Sequence, residues 1–298
     1  ARALLALPAL LLIGGCASSG GQPESPVDLS TPLSEAGEEE APTRWWQTFG
    51  DDQLNNLVDR ALQANLDLKT AWQRLRAAQA VTERESASLF PSLDLNAEAN
   101  TESGGASEAT FESATYAQTG LSAAYEVDLW GRIRAGVAAE RLRARATRAD
   151  YRAAALSLAG EVTRTWYRLA EARARRNLIN EQVATNRKVV ALIETQFGHG
   201  QARRADLLRQ RRLLESVRQK RHAAEARIQT LEHQVAVMLG RPPQKGIDSA
   251  RADLPPLPPV PATGLPAELV QRRPDVRSAW LRLRAADREV AAAISSPF

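Results

Sequence analysis

The chain has 298 residues and a formal net charge of +4, and 35 of its 39 basic residues are arginine. A basic balance can indicate a nucleic-acid-binding protein. Here, however, the arginines alternate with acidic residues and alanine, and the aromatic residues do not interleave with them as stacking platforms for bases would. The composition therefore argues against a nucleic-acid partner. Because the chain has one cysteine, it cannot form an internal disulfide.

The first sixteen residues have the pattern of an export signal. Arg2 supplies a positive charge, residues 3–13 are apolar, and two glycines then supply the small residues that precede a cleavage site. The apolar run of about 11 residues is shorter than the roughly 20 that a membrane-spanning helix needs. The segment LIGGC resembles a bacterial lipoprotein signal. We therefore predict that residues 1–15 are removed and that Cys16 becomes an acylated N-terminus; the alternative is a plain secretory signal with an incidental cysteine.

Two stretches are predicted to be linkers. Residues 16–43 are rich in serine, glycine, proline and glutamate and poor in large apolar residues, which is typical of a flexible tether. Residues 254–264 include LPPLPPVP, which favours an extended polyproline connector. The connector carries no residues that indicate chemistry of its own.

A recurring segment indicates an internal duplication. Its period far exceeds the roughly 20–50 residues of a solenoid repeat, so we interpret it as duplication of a whole structural unit. We expect a first unit at residues 44–253 and the start of a second at 265–298, so that the chain is one part of a longer protein. Eight identities at one constant spacing support this: Asp67, Ala71, Trp72, Arg74, Leu75, Arg76, Ala77 and Ala78 recur as Asp275, Ala279, Trp280, Arg282, Leu283, Arg284, Ala285 and Ala286.

Residues 92–127 are predicted to form a transmembrane β-hairpin. Pro91 ends the preceding helix, and apolar and polar residues then alternate on both sides of a Gly- and Ser-rich tip at 103–107. Each alternating stretch is about the 9–11 residues that a tilted strand needs to cross a bilayer. The alternative is a soluble hairpin with one wet face. The apolar residues before the tip are Leu93, Leu95, Ala97 and Ala99. The face predicted to contact lipid holds Ala117, Thr119, Leu121, Ala123, Tyr125 and Val127.

Residues 132–239 are predicted to form a long antiparallel helical hairpin. Apolar residues recur at alternating steps of three and four, which is the pattern of a coiled-coil seam. A helix from residue 132 to 196 would be on the order of 100 Å long. A generic coiled coil explains this region by itself. The stripe comprises Leu158, Val162, Thr165, Leu169, Ala172, Arg176, Ile179, Val183, Asn186, Val190, Ile193 and Phe197, then Leu214, Val217, Arg221, Ala224, Ile228, Leu231, Val235 and Met238.

The turn between the two long helices contains Gly198 and Gly200, which permit the backbone angles of a tight helix-to-helix turn. Asp206 follows as an N-cap or a first-turn acid, which the helix dipole favours. The chain has no Gly-rich phosphate loop, metal-ligand motif or nucleophile elbow. His222 and His233 would lie about 16 Å apart on a helix, too far to share a metal. We therefore predict no enzymatic activity and no cofactor.

Four segments together resemble the TolC-like outer-membrane factors, and more narrowly their lipoprotein (NodT-type) branch. The resemblance covers most of residues 45–298, and the DLWGR and RRPD motifs are its most specific parts. The segments are WWQTFGDDQLNNLVDRALQANLDLKTAWQRLRAA (45–78), AYEVDLWGRIRAG (124–136), FGHGQARRADLL (197–208) and LPAELVQRRPDVRSAWLRLRAAD (265–287).

The resemblance implies a fold that is mainly α with a small β part. Each of two halves contributes two strands and long helices, and three copies form one twelve-stranded barrel continued by an α-helical tunnel. It further implies a homotrimer in the outer membrane that extends into the periplasm, acts as a passive exit duct, and works with a periplasmic adaptor and an inner-membrane pump. Two of the four strands would then belong to the half that is absent here.

The resemblance also implies that the turn is the periplasmic tip, which holds the tunnel entrance closed and meets the adaptor. The tip residues are Gly198, Gly200, Arg203, Arg204 and Asp206. Relatives often carry serine or threonine where this chain has Arg203, and we expect the two arginines to pair with acids across the tip. Two other functions stay open: a non-channel coiled-coil spacer lipoprotein, for which the 92–127 hairpin has no purpose, and the outer-membrane duct of a type I protein secretion system.

Overall fold

The computed structural model describes residues 44–103, 113–243, 258 and 272–296. Several predictions therefore lie outside the described residues: the signal, Cys16 and the tether, the tip of the β-hairpin, and the connector apart from Pro258. The described elements are a 3-10 helix, Trp45–Phe49; the helices α1, Asp52–Ala64, and α2, Leu66–Ala87; the strands β1, Ser92–Ser103, and β2, Ser113–Ala124; and the helices α3, Arg132–Gly198, α4, Arg204–Met238, and α5, Pro274–Ile294.

Side-chain caps determine where α1 and α2 begin. Asp51 precedes α1, and its Oδ1 accepts hydrogen bonds from the backbone N–H groups of Gln53 (3.0 Å) and Leu54 (3.1 Å). Asn65 has an extended backbone that ends α1. Its side-chain Oδ1 then accepts from the Leu68 N–H at 2.9 Å, which caps α2. A single residue thus separates two helices because it serves as the C-cap of one and the N-cap of the next.

The long helical hairpin is confirmed. α3 runs without a break for 67 residues and α4 for 35. The predicted stripe is buried along most of both helices because each helix covers the apolar face of the other. Phe197 is an exception: its side chain is 42% exposed, so the seam ends before the turn. The buried members of the stripe are Val162, Thr165, Leu169, Ala172, Ile179, Val183 and Val190 on α3, and Leu214, Val217, Ala224, Ile228, Leu231 and Val235 on α4.

The described residues divide into two compact units. The first comprises residues 74–149 and 275–296, and the second comprises 44–73, 150–243 and 272–274. The largest apolar core of the second unit is built around Trp166, whose side chain is only 2% exposed. Its other buried members come from the 3-10 helix, α1, α3 and the end of α4: Trp46, Leu54, Leu57, Val58, Ala61, Ala159, Val162, Val235 and Leu239.

The duplicated segments form corresponding helices but bury different positions. Asp67 and Asp275 are each the second residue of their helix, in α2 and α5. Leu75 in α2 is 2% exposed, whereas its counterpart Leu283 in α5 is 48% exposed. The repeat therefore predicts the same secondary structure twice, while the surroundings of each copy decide which face is covered.

Candidate functional site

The strand register places the apolar residues of both strands on one face of the β-hairpin. β1 and β2 pair antiparallel, with Leu93 opposite Ala123 and Leu95 opposite Leu121. Because side chains alternate between the two faces of a strand, these pairs lie on one face, together with the pairs that involve Ala97 and Ala99. Leu93, Leu95 and Leu121 are between 68% and 76% exposed. The hairpin therefore presents a continuous apolar face that no described residue covers.

The opposite face of the hairpin is polar. Asp94 pairs with Ser122, and Glu98 pairs with Gln118. Asn100 donates a hydrogen bond from Nδ2 to Glu98 Oε1 at 2.6 Å, which links neighbours along this face. The hairpin thus has one apolar and one polar face, which is the division that a strand pair in a membrane barrel requires.

The predicted strand boundaries need correction. β2 begins at Ser113 and ends at Ala124, so Tyr125 and Val127 follow the strand instead of belonging to it. The ladder stops because the chain turns toward α3: the Leu129 N–H donates to the Val127 carbonyl at 2.9 Å. Tyr125 and Val127 remain 57% and 61% exposed. Of Leu121, Ala123, Tyr125 and Val127, which are all predicted to contact lipid, only Leu121 and Ala123 lie within the strand.

Asp128 anchors the start of α3. Its carboxylate accepts hydrogen bonds from the backbone N–H groups of Ile133 (3.3 Å) and Arg134 (2.9 Å), and from Arg134 Nε at 3.1 Å. Partial desolvation acts to raise the pKa of Asp128, but these hydrogen bonds and the charge of Arg134 outweigh it and hold the pKa below the usual carboxyl range. Glu126 binds Arg132 in the same turn, and this hydrogen bond raises the pKa of Arg132. The turn from hairpin to helix is therefore tied by two acid–arginine pairs.

Gly200 forms the turn at the tip of the helical hairpin. It has a left-handed backbone, with φ at +73°, and its N–H donates to the Phe197 carbonyl at 3.0 Å. The Gln201 N–H donates to the Gln196 carbonyl at 2.8 Å, which completes a Schellman motif. Gly198 is instead the last residue of α3 and has no positive φ. Both glycines were predicted to supply backbone angles that the turn requires. The prediction is confirmed at Gly200 and wrong at Gly198.

Of the charged tip residues, Arg203 and Arg204 are exposed and Asp206 is half-buried, and among the described residues only Asp206 has an ion-pair partner. Asp206 lies in the first turn of α4 and pairs with Arg209 at 3.4 Å, while the N-cap is Arg203, whose side chain makes no capping hydrogen bond. Within the described ranges, neither Arg203 nor Arg204 makes an ion pair, so the expected pairing across the tip is wrong. The reason is local: the acid nearest in sequence already faces Arg209, one turn further along the same helix.

Polar pairs join α3 to α4 between the tip and the apolar core. Arg211 Nη2 lies 2.6 Å from Glu194 Oε1, and Gln210 Nε2 donates to Asn186 Oδ1 at 2.9 Å. Further from the tip, Arg173 Nη2 lies 2.7 Å from Glu232 Oε1, and both side chains are largely buried. Asn186 had been recognised only as a break in the apolar stripe. Its bond to Gln210 explains why a polar residue is tolerated there.

Sequence reasoning missed a close backbone approach at the end of α4. Gly240 has φ at +65°, and a Cβ atom built there would lie 2.5 Å from the Ala64 carbonyl oxygen. Asn65, next to Ala64, donates from Nδ2 to the Met238 carbonyl at 3.0 Å. The available signal was a glycine directly after the apolar stripe, which is typical of a helix C-cap. The residues around Gly240 do not indicate that it contacts the end of α1.

The described residues contain no group of three or more histidine, cysteine or acidic side chains that could hold a metal. His222 and His233 are both exposed, and His222 Nδ1 lies 3.3 Å from Glu225. None of the described helices has a stretch long and apolar enough to span a membrane. Within this part of the chain, the features that remain as a candidate site are the two-faced hairpin and the helical tip.

Comparison with known proteins identifies the family. The sequence profile of the outer membrane efflux protein family matches residues 57–241. The chain is 28% identical to the pyoverdine export outer membrane protein OpmQ of Pseudomonas aeruginosa, with 98% of this chain and 64% of OpmQ aligned. It is 29% identical to the toluene efflux pump outer membrane protein TtgI of Pseudomonas putida, with 97% of this chain and 64% of TtgI aligned.

Solved structures agree with this assignment. The outer-membrane channel OprN superposes with a TM-score of 0.73 at 27% identity, covering 93% of this chain and 64% of OprN. The chain thus spans slightly less than two thirds of the length of the relatives it matches. From the matched profile and the shared fold we conclude that the chain belongs to the outer membrane efflux protein family and is an outer-membrane protein.

Proposed function

We propose that this chain is a subunit of the outer-membrane duct of a tripartite efflux system, and that it passes small molecules without catalysing a reaction. The observation that carries the proposal is the β1–β2 register, which places Leu93, Leu95 and Leu121 on one exposed face and the acidic and amide side chains on the other. A membrane barrel needs lipid on its outer face and water on its inner face. The hairpin meets both requirements.

Assembly follows from the unpaired edges of this hairpin. The structure describes two strands, and each has one partner. In a bilayer, unpaired backbone N–H and C=O groups are costly, so a strand pair is stable there only as part of a closed barrel. We therefore propose a homotrimer in which each subunit contributes this hairpin and the corresponding strands of a second structural unit.

The two ends of the subunit would have different partners. Lipid attached to Cys16 would hold the N-terminus at the outer membrane. At the periplasmic end, the turn at Gly200, with Gly198, Arg203, Arg204 and Asp206 beside it, would contact the adaptor and take part in gating. The exposure of both unpaired arginines supports a contact with another protein at this place.

The cargo is not assigned by similarity, since one relative is named for pyoverdine export and another for toluene efflux. Single-channel recording in planar bilayers, on purified protein that carries both structural units, tests the proposal. A duct should give discrete and uniform conductance steps. A spacer lipoprotein should give none, and protein that is folded by circular dichroism but electrically silent would overturn the proposal. A type I secretion duct would also conduct, and the identity of the inner-membrane protein that co-purifies, a small-molecule pump or a protein secretion component, would distinguish the two.

A further inference from the structure

Three arginines of α3 differ from their neighbours in having no carboxylate partner in the part of the chain that the structure describes. Within residues 74–149, the other arginines of α3 each bind an acid, and these are Arg132, Arg134 and Arg143. Arg141, Arg145 and Arg148, which we call the arginine row, are exposed and make no ion pair with any described residue.

The arginine row occupies one face of the helix. At 3.6 residues per turn, the steps from 141 to 145 and from 145 to 148 place the three Cα atoms within an arc of about 60°. The row extends about 10 Å along the axis at about 1.5 Å per residue. Three guanidinium groups are therefore directed toward one region of space.

The row differs from the helix faces on which the chain pairs arginine with an acid. At those places an acid stands three residues before the arginine, as in Glu140–Arg143 and Glu215–Arg218. For each arginine of the row, the residues three and four positions earlier in the chain are arginine or apolar residues, never an acid. Like charges at these spacings destabilise a helix. The arrangement is unfavourable by itself and becomes favourable when an anion lies across it.

A cavity of about 360 Å³, which is wide open to solvent, has two members of the row in its lining. It is lined by Gln79, Thr82, Glu83, Arg141, Ala144 and Arg145. This volume is within the usual range for small-molecule sites. Thr82 donates its hydroxyl proton to main-chain carbonyls, those of Ala78 (3.0 Å) and Glu140 (3.2 Å). Glu83 is the one acid in the lining. An anion would have to present a hydroxyl or amine group to Glu83 while its acidic groups face the arginines.

We propose that this cavity and the arginine row bind a small multivalent oxyanion, carrying carboxylate or phosphate groups together with a hydrogen-bond donor. Guanidinium groups bind both kinds of oxyanion with paired, charge-assisted hydrogen bonds. Arg141 and Arg145 hold the acidic groups at the cavity, Arg148 extends the positive field, and Glu83 accepts from the donor. The site lies in the unit that contains the hairpin and does not depend on the duct function proposed above.

Isothermal titration of the detergent-solubilised protein tests the proposal. Citrate, which has three carboxylates and a hydroxyl, and pyrophosphate distinguish the two oxyanion chemistries. We expect saturable binding of at least one of them, with one site per chain, that weakens as the salt concentration rises because ions screen exposed charges. The double variant Arg141→Gln/Arg145→Gln should weaken that binding at least tenfold. Tricarballylate, which lacks the hydroxyl of citrate, should bind less well than citrate if the carboxylate chemistry is the right one.

A matched control removes the same charge from another part of α3. Arg168 and Arg187 are also exposed and make no ion pair with a described residue, so Arg168→Gln/Arg187→Gln should change the affinity less than twofold. The proposal is overturned if neither anion binds saturably, or if both double variants weaken binding equally, which would indicate attraction by overall charge. Conductance measured in the same variants reports separately on the duct, so failure of this site leaves that function untouched.

Discussion

The indole Nε1–H of Trp166 donates a hydrogen bond of 2.9 Å to Oδ2 of Asp51, and both side chains are buried. The other carboxylate oxygen of Asp51 caps α1. One side chain therefore holds the start of α1 against the middle of α3, in the centre of the largest apolar core. Charge-assisted bonds of this kind are stronger than neutral ones, and a buried donor left without a partner is costly.

We expect Asp51→Ala to lower the free energy of unfolding by about 2–4 kcal/mol, since it removes an N-cap and leaves the Trp166 N–H without its acceptor. Asp52→Ala is the matched control, because Asp52 is adjacent and exposed. This substitution should lower the free energy of unfolding by well under half as much. Denaturant unfolding followed by circular dichroism measures both. Equal losses in the two variants would contradict a special role for Asp51.

Gly240→Ala should be destabilising by more than about 1–2 kcal/mol, the cost of a left-handed backbone for a residue with a Cβ, because that Cβ would also collide with the Ala64 carbonyl oxygen. Gly160→Ala is the control. Gly160 lies inside α3 with open space around its Cα, so alanine there should stabilise by about 0.5–1 kcal/mol. Thermal unfolding of both variants checks the signs, and a neutral Gly240→Ala would rule out the close approach.

Leu121→Arg and Ser122→Arg test the orientation of the hairpin with two adjacent residues on opposite faces. Arginine at Leu121 should cost about 2–4 kcal/mol if the site lies near the middle of the bilayer, which would lower the yield of assembled protein. Arginine at Ser122 should assemble and change the conductance. Recovery of trimer from outer membranes, followed by bilayer recording, compares them, and equal effects on assembly would refute the assignment of faces.

Cys16→Ser should abolish incorporation of radiolabelled palmitate in cells, because acylation and cleavage are predicted at that thiol. The serine variant retains the apolar run and should still be exported, so any difference from the wild type is due to the missing lipid. If wild type and variant incorporate equal label, Cys16 is not the modified residue.

The lowered pKa of Asp128 predicts a pH dependence of stability. Because the folded-state pKa lies below the unfolded value of about 3.8, the ionised carboxylate stabilises the folded state above that value. This contribution is lost as the pH falls through the folded-state pKa. Asp128→Asn should flatten the fall in unfolding free energy between about pH 5 and pH 2. The free energy of unfolding is measured across this pH range for both proteins. The prediction is contradicted if it falls with the same slope against pH in the wild type and the variant.

Periodicity in the sequence determined most of the secondary structure. The three–four spacing of apolar residues predicts α3 and α4, and the alternation at residues 92–100 and 117–124 predicts both the strands and the face that their apolar side chains share. These patterns are readable because each residue's side chain projects at a fixed angle from its neighbour in a regular element. The end of β2 was missed because alternation continues through Tyr125 and Val127 after the ladder has stopped.

Only the tertiary structure decided which distant groups meet. The local sequence identifies Asp51 and Asn65 as candidate caps, but not their bonds to Trp166 and to the Met238 carbonyl. It likewise marks Gly240 as a helix end without revealing Ala64 beside it. Periodicity is a property of neighbouring residues, whereas these contacts depend on how helices far apart in the chain pack against each other. That packing is set by the shapes of many apolar side chains acting together.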